Sequence, residues 1–394
     1  MISNPYNSIL WRQVWGLAAM LAAILFSLTA YGLYQPSILT ELGFAEWATG
    51  LSIAQGLMGA VLEPVVGGQS DRILRRFGSR LPQITIGVAI AGLLFVVISL
   101  LLGDLPVGIR WLIPVLMTAW VMAMIVFRGP VVALLMQFAP LAELPQANAV
   151  LVLVLGLMGA IAPLLRIALM QLGTSPTFVL GAIVLLLGAF TLYNTAPLQA
   201  ASPSYANASS QLTRVARIGV LTFLVGLGAS LQASFLFAVF PPILSTYLPG
   251  ISGEAIGSIL LVICALSANP IGRFTVKIGA IGAMQIGLGA IALLIGLVLF
   301  NQNTLLTVLL IFELGVALGL VFISTIPYAL SVMPPHQAGL STGLYFGGSG
   351  AAVTLGTIFM QSIEVTPLIA SLGVIGGGLI AILCLAASRP WLDS

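Results

Sequence analysis

The 394-residue chain is 60% hydrophobic and 6% charged, against about 25% charged residues in a soluble domain, which excludes a water-soluble fold and makes lipid the solvent. Its net charge of +3 is small, and the basic residues sit at the ends of apolar runs rather than in a patch, which argues against a nucleic-acid partner. One histidine, His336, and two cysteines inside apolar runs, Cys264 and Cys384, supply neither a disulfide framework nor a metal site.

Crossing about 30 Å of hydrocarbon takes roughly 20 apolar helical residues. Such runs fall near 14–36, 44–68, 83–103, 108–137, 147–171 and 176–196, then 215–245, 253–274, 279–300, 304–333, 337–362 and 366–388. The expected fold class is an all-α membrane protein of twelve transmembrane helices in two six-helix bundles. Residues 1–196 form the first bundle and 214–394 the second. The segment 197–213, rich in Ser, Ala, Asn and Pro, is the expected linker. The N-terminal residues lack the basic region and cleavage site of a removable signal, so the first run reads as a retained helix.

Basic residues near helix ends set orientation. Arg12, Arg72, Arg75, Arg76, Arg80, Arg214, Arg217, Arg273, Lys277 and Arg389 fall on one side, and only Arg110 lies in a connection on the other. Both termini are therefore expected in the cytoplasm, in a bacterial-type plasma membrane.

The halves echo one another. Gln146-Ala147 opens the fifth run and Gln337-Ala338 the eleventh, and each is followed by two glycines and an alanine at the same spacing. Pro64 corresponds to Pro270, and Pro130 to Pro327. Parallel six-helix repeats about an axis along the membrane normal build one large transporter fold.

Between the second and third runs stands Glu63-Pro64-Val65-Val66-Gly67-Gly68-Gln69-Ser70-Asp71-Arg72, then Arg76-Phe77-Gly78-Ser79-Arg80-Leu81-Pro82. With twelve helices in two sets of six, this resembles the major facilitator superfamily. The longer form is similar to the sucrose–proton symporters and the related glycoside–pentoside–hexuronide cation symporters, as is Gly129-Pro130 followed by Ala133-Leu134-Leu135. Met136-Gln137-Phe138 stands where that branch carries an acid, and Arg128 precedes the Gly-Pro rather than following it. The resemblance implies a gating motif of Gly67, Gly68, Asp71, Arg72, Arg76, Gly78 and Arg80. In it Asp71 lies against the cytoplasmic start of the eleventh helix, where backbone N–H groups favour an anion. Lys277 takes the corresponding place in the second half, so the duplicate latch is lost.

Ionisable side chains inside the spans are few. Each costs about 2.5–3.5 kcal/mol at a helix centre on insertion scales, so each needs a partner or a task. Glu63 lies about 12 Å deeper than Asp71 at 1.5 Å per residue, on a stripe with Gly56, Gly59, Gly67 and Ser70 that marks helix contact. It is a candidate for proton coupling or for a structural pair with Arg128. Arg128, at similar depth on an apolar stripe, needs a partner off its own helix and offers a planar fork to a substrate. Glu313, roughly 14 Å into the tenth run, is the leading proton-coupling candidate, because transporter sites gather near the midplane. Tyr31, Gln35, Asn148, Gln232 and Tyr345 are candidate cavity residues, with core packing as the alternative. Arg166 shares a stripe with Asn148 and Gly159 and is a candidate outer gate.

The expected protein is a secondary transporter working by alternating access, moving a sugar-like solute by proton-coupled symport. It would run on the proton gradient, without a cofactor or a metal. It would not be an enzyme, and it would act as a monomer. Proton-driven efflux of an amphipathic compound, or a non-transporting assembly factor or sensor on the same fold, are the alternatives.

Overall fold

A computed structural model describes residues 8–102, 106–196, 212–362 and 364–389. Among them, twelve helices are long and apolar enough to cross a membrane. They are α1 (Trp11–Glu41), α2 (Trp47–Phe77), α3 (Leu81–Leu101), α4 (Leu112–Ala133), α5 (Leu144–Leu172) and α6 (Thr174–Thr195). The second set is α7 (Leu212–Ser245), α8 (Gly253–Ile278), α9 (Ala280–Val298), α10 (Thr304–Ser331), α11 (Ala338–Ser362) and α12 (Pro367–Ser388). Only helices satisfy every backbone group within their own segment in lipid, which is why apolar length alone dictates this architecture. Several helices extend past their apolar runs. Hydropathy marks the hydrocarbon layer, while the helix continues into the polar zone until a cap stops it. The expected linker falls largely on 197–211, outside the described residues.

Helix ends carry local signals. The side chains of Ser252, Asn303 and Thr366 accept N-terminal amides of α8, α10 and α12, which satisfies donors that a helix start leaves open. Gly78 ends α2 at φ 70°, a left-handed conformation that glycine adopts without a Cβ clash.

Each half has its own core. In the first, Phe95, Trp120, Phe127, Phe138 and Phe178 are fully buried. In the second, Phe240, Ile295, Leu314, Tyr328 and Val374 are. An even number of crossings brings the described chain ends to one face, called here the terminus face; the other is the far face. Two seams join the halves, α2 against α11 and α5 against α8, and α5 also touches α10. Leu330 and Ala338 of the second half enter the first core, and Ala149 and Val152 of α5 enter the second. The halves are therefore knitted together on the terminus side.

Candidate functional site

At the terminus face, α2 delivers Asp71 to the start of α11. Asp71 Oδ1 accepts from the Gly339 amide at 2.8 Å, and Oδ2 accepts from the Leu340 amide at 2.8 Å. These are first-turn amides, which have no partner within their own helix. Arg80 locks the carboxylate from behind. Its Nη2 lies 2.5 Å from Asp71 Oδ1, its Nε donates to Ser70 Oγ at 3.1 Å, and its Nη1 donates to the Ala133 carbonyl at 3.3 Å. Both charges are almost fully buried. Gly67 allows this approach, because a Cβ there would run into the Gly339 carbonyl. Of the remaining motif residues, Gly68 meets only the tip of Leu340, Arg72 is exposed, and Arg76 lies over the Phe77 ring. Arg80 thus leaves the group of surface arginines in which its charge alone would place it.

Deeper along the same seam, at the middle of α2, Glu63 pairs with Arg128 of α4. The carboxylate is 1% exposed while the guanidinium side chain is 33% exposed. Gly129 leaves room for Glu63 Oε2, which has no hydrogen-bond partner among the described residues, and neither has Arg128 Nε. Across the seam, the Arg128 guanidinium lies 5.8 Å from the centroid of the Phe346 ring on α11, within cation–π range. The α11 backbone comes close because Gly343 and Gly347 present no Cβ to Glu63, Ala60 and Pro64 of α2. The pair therefore sits where the two halves meet, with one member sealed and the other partly open.

The other candidates lie elsewhere. Tyr31 and Gln35 are buried in the first half. Gln55 Nε2 donates to the Tyr31 hydroxyl at 2.8 Å, and Gln35 Nε2 donates to Gln55 Oε1 at 3.2 Å. Tyr31 also stacks on Trp120, which stacks on Phe95, so it belongs to an aromatic column. Gln232 ties α7 to the carbonyls of Leu288 and Val374. Tyr345 meets Thr325 at 3.3 Å. Asn148 joins the halves beside the second seam, its Nδ2 donating to the carbonyls of Phe322 and Ile323 on α10. These polar groups are engaged by protein rather than lining open space. They clamp helices because a helical stripe shows which face meets protein, not what it meets.

Glu313 has the expected depth and a different outlook. It is exposed on α10 beside Leu309 and Phe312, on a face bounded by the contacts of Gly315 with α8 and of Ala317 and Leu320 with α9. It is not in the space between the halves. Arg166 is exposed on α5 with no hydrogen bond or ion pair to any described residue.

Residues that the sequence did not mark as candidates also carry the site: Gln55, Ser70, Gly129 and Phe346. Ser70 directly precedes the motif aspartate, and Gln55 is an amide inside a span, so both left a signal. Phe346 left none, since one more aromatic in an apolar helix says nothing about a cation across the seam.

A family model described as Major Facilitator Superfamily matches residues 16–357. No curated protein matches the chain. Among solved structures, the human organic anion transporter MFSD10 (TETRAN) is similar with a TM-score of 0.71 at 14% identity, covering 96% of this chain and 99% of that one. A bacterial homologue of the iron transporter ferroportin in its outward-facing state gives a TM-score of 0.69 at 15% identity, covering 97% of this chain and all of the other. At such identities the likeness concerns the fold. Twelve helices, two seams, a carboxylate seated on the start of α11 and a family match over most of the length lead to one conclusion: the chain belongs to the Major Facilitator Superfamily and is a multi-pass membrane transporter.

Proposed function

We propose that the protein carries a small organic anion together with a proton, with residues 1–196 and 214–394 rocking as two bodies about the Glu63–Arg128 level. The observation that carries this reading is the asymmetric exposure of that pair. A sealed carboxylate holds an arginine whose side chain is one-third exposed at the junction of the halves. Protonation of Glu63 removes its charge and frees the Arg128 fork for a carboxylate or similar anion, which guanidinium binds in bidentate geometry. Anion and proton then travel together, and loss of both restores the internal pair. An empty site without the proton keeps Arg128 neutralised, which discourages movement of either partner alone.

A sugar-like solute is the second reading, favoured by the extended motif around Asp71. Sugars need several free donors and acceptors. Tyr31, Gln35, Asn148 and Gln232 are hydrogen-bonded to protein, so the geometry supports an anion better. Asp71 and Arg80 act as the latch of the closed terminus face, which the distribution of basic residues assigns to the cytoplasm.

Proteoliposomes with an imposed pH gradient test the reading, using radiolabelled lactate, succinate and sucrose as probes. Gradient-driven uptake of a carboxylate is expected, abolished in Arg128→Gln. In Glu63→Gln it should no longer respond to the gradient. Sucrose flux that persists in Arg128→Gln would replace the anion by the sugar.

A further inference from the structure

The α5–α8 seam is in register only over part of its length. Near the terminus face, Gly272 sits against Pro145, Gln146 and Ala149; further along, Gly156 meets Leu261 and Ala265, and Gly159 meets Leu261. The helices run antiparallel, so a step toward the far face adds residue numbers on α5 and subtracts them on α8. Seven residues past Gly159 is Arg166, and seven before Leu261 is Glu254. A seven-residue step returns to the same helical face within about 20° and advances about 10 Å. Arg166 and Glu254 therefore face one another across the extrapolated seam, at the same level.

In this structure they do not meet. Both are exposed, and neither has a hydrogen bond or ion pair with any described residue. Gly257, between Leu261 and Glu254 on α8, has nothing within 4 Å of the place its Cβ would take. The helices diverge beyond the Gly159–Leu261 contact.

We propose that Arg166 of α5 and Glu254 of α8 pair across this gap when the far face closes, forming the outer gate of the transport cycle. The terminus face of the structure is held by Asp71 and Asn148, so the pair belongs to the opposite state, in which those contacts release. The guanidinium fork fits a carboxylate. At a mouth that is open to water the pair contributes little until closure brings the charges together. Glu254 also lies in the first turn of α8 behind the Ser252 cap, where a negative charge complements the helix dipole. That role alone would make Arg166 irrelevant. The proposal rests on the transporter fold and not on the identity of the solute.

Two measurements on the full chain in liposomes decide it. A short bismaleimide is expected to link R166C/E254C but not L164C/E254C, since Leu164 points away from the seam; the single variants control for Cys264 and Cys384. Spin labels at Met170 and Ile251 then report the distance across the gap. A close population is expected with the native charges. It should fall about threefold in R166E, the scale on which an exposed ion pair shifts a population, and return in R166E/E254R. No cross-link in R166C/E254C, equal linking in the control, or a swap that behaves like R166E would each overturn the pair.

Discussion

Asp71 divides one carboxylate between two halves of the molecule. Its bonds to the Gly339 and Leu340 amides join α2 to α11, and its pairing with Arg80 joins the end of α2 to the start of α3. Hydrogen bonds to charged groups contribute about 1.5–3 kcal/mol each, whereas deleting one member of a buried pair costs about 3–5 kcal/mol because the other charge is stranded. Arg80 is 1% exposed, so the second effect wins for stability. Asp71→Asn is expected to lower the melting temperature in a detergent thermal-shift assay as well as transport. Asp71→Asn with Arg80→Gln should recover much of the melting temperature and leave transport depressed. Equal melting temperatures for all three proteins would show that Arg80 does not depend on Asp71. Legibility at this scale follows the kind of signal available. Glu63 and Arg128 stand out because charge is rare inside a span and their depths match. The clamping roles of Asn148 and Gln232 are hidden, since their partners are backbone carbonyls, which every residue carries.

At the scale of elements, the α2–α11 seam is a backbone-to-backbone contact. Gly67, Gly343 and Gly347 each leave no space for a Cβ beside the facing helix. With no hydrophobic drive between helices in lipid, such close packing is a main source of association. Gly343→Ala should therefore push α11 away from the Glu63 carbonyl and lower the melting temperature. Gly289→Ala on α9, where nothing lies within 4 Å, should hold or raise it, because alanine favours a helix interior by about 1 kcal/mol over glycine. The same melting temperature for the two variants would mean that seam contact contributes nothing. The helices themselves are legible from hydropathy, and the glycines of α11, at four-residue spacing, read as a close-packing face. Their partner helix does not, because small residues accept any neighbour. Glu313 shows the limit: its depth follows from counting along α10, whereas its direction depends on where α8 and α9 cover that helix.

At the scale of the whole molecule, the two seams are related but unequal. The first is latched by an acid on α2; beside the second an amide on α5 reaches carbonyls of α10, and Lys277 of α8 stands in place of an acid. The first runs the length of the bundle, from Asp71 at the terminus face to Gln361 Nε2 and Thr49 Oγ1, 3.3 Å apart at the far face. The second parts beyond Gly159. In the alternating-access reading, a structure joined at one face and parted along one seam at the other is a single state of the cycle, and which state it is depends on which face looks outward. The positive-inside rule predicts the cytoplasm for the terminus face: Arg72, Arg75 and Arg76 cluster there and Arg110 alone stands in a far-face connection. Arg75 is exposed at the end of α2, and Val107 is 75% exposed in the connection before α4, so cysteines at these positions report the two faces without touching a seam. A membrane-impermeant maleimide applied to intact cells is expected to label Val107→Cys and to reach Arg75→Cys only after permeabilisation. The Asp71 latch is then the inner gate, and the parted seam opens outward. Labelling of Arg75→Cys in intact cells would reverse both assignments, with the sealed Asp71 contact outside and the Arg166–Glu254 gap facing the cytoplasm. The physical argument for each contact would stand, and the state seen here would open to the cytoplasm instead of to the outside.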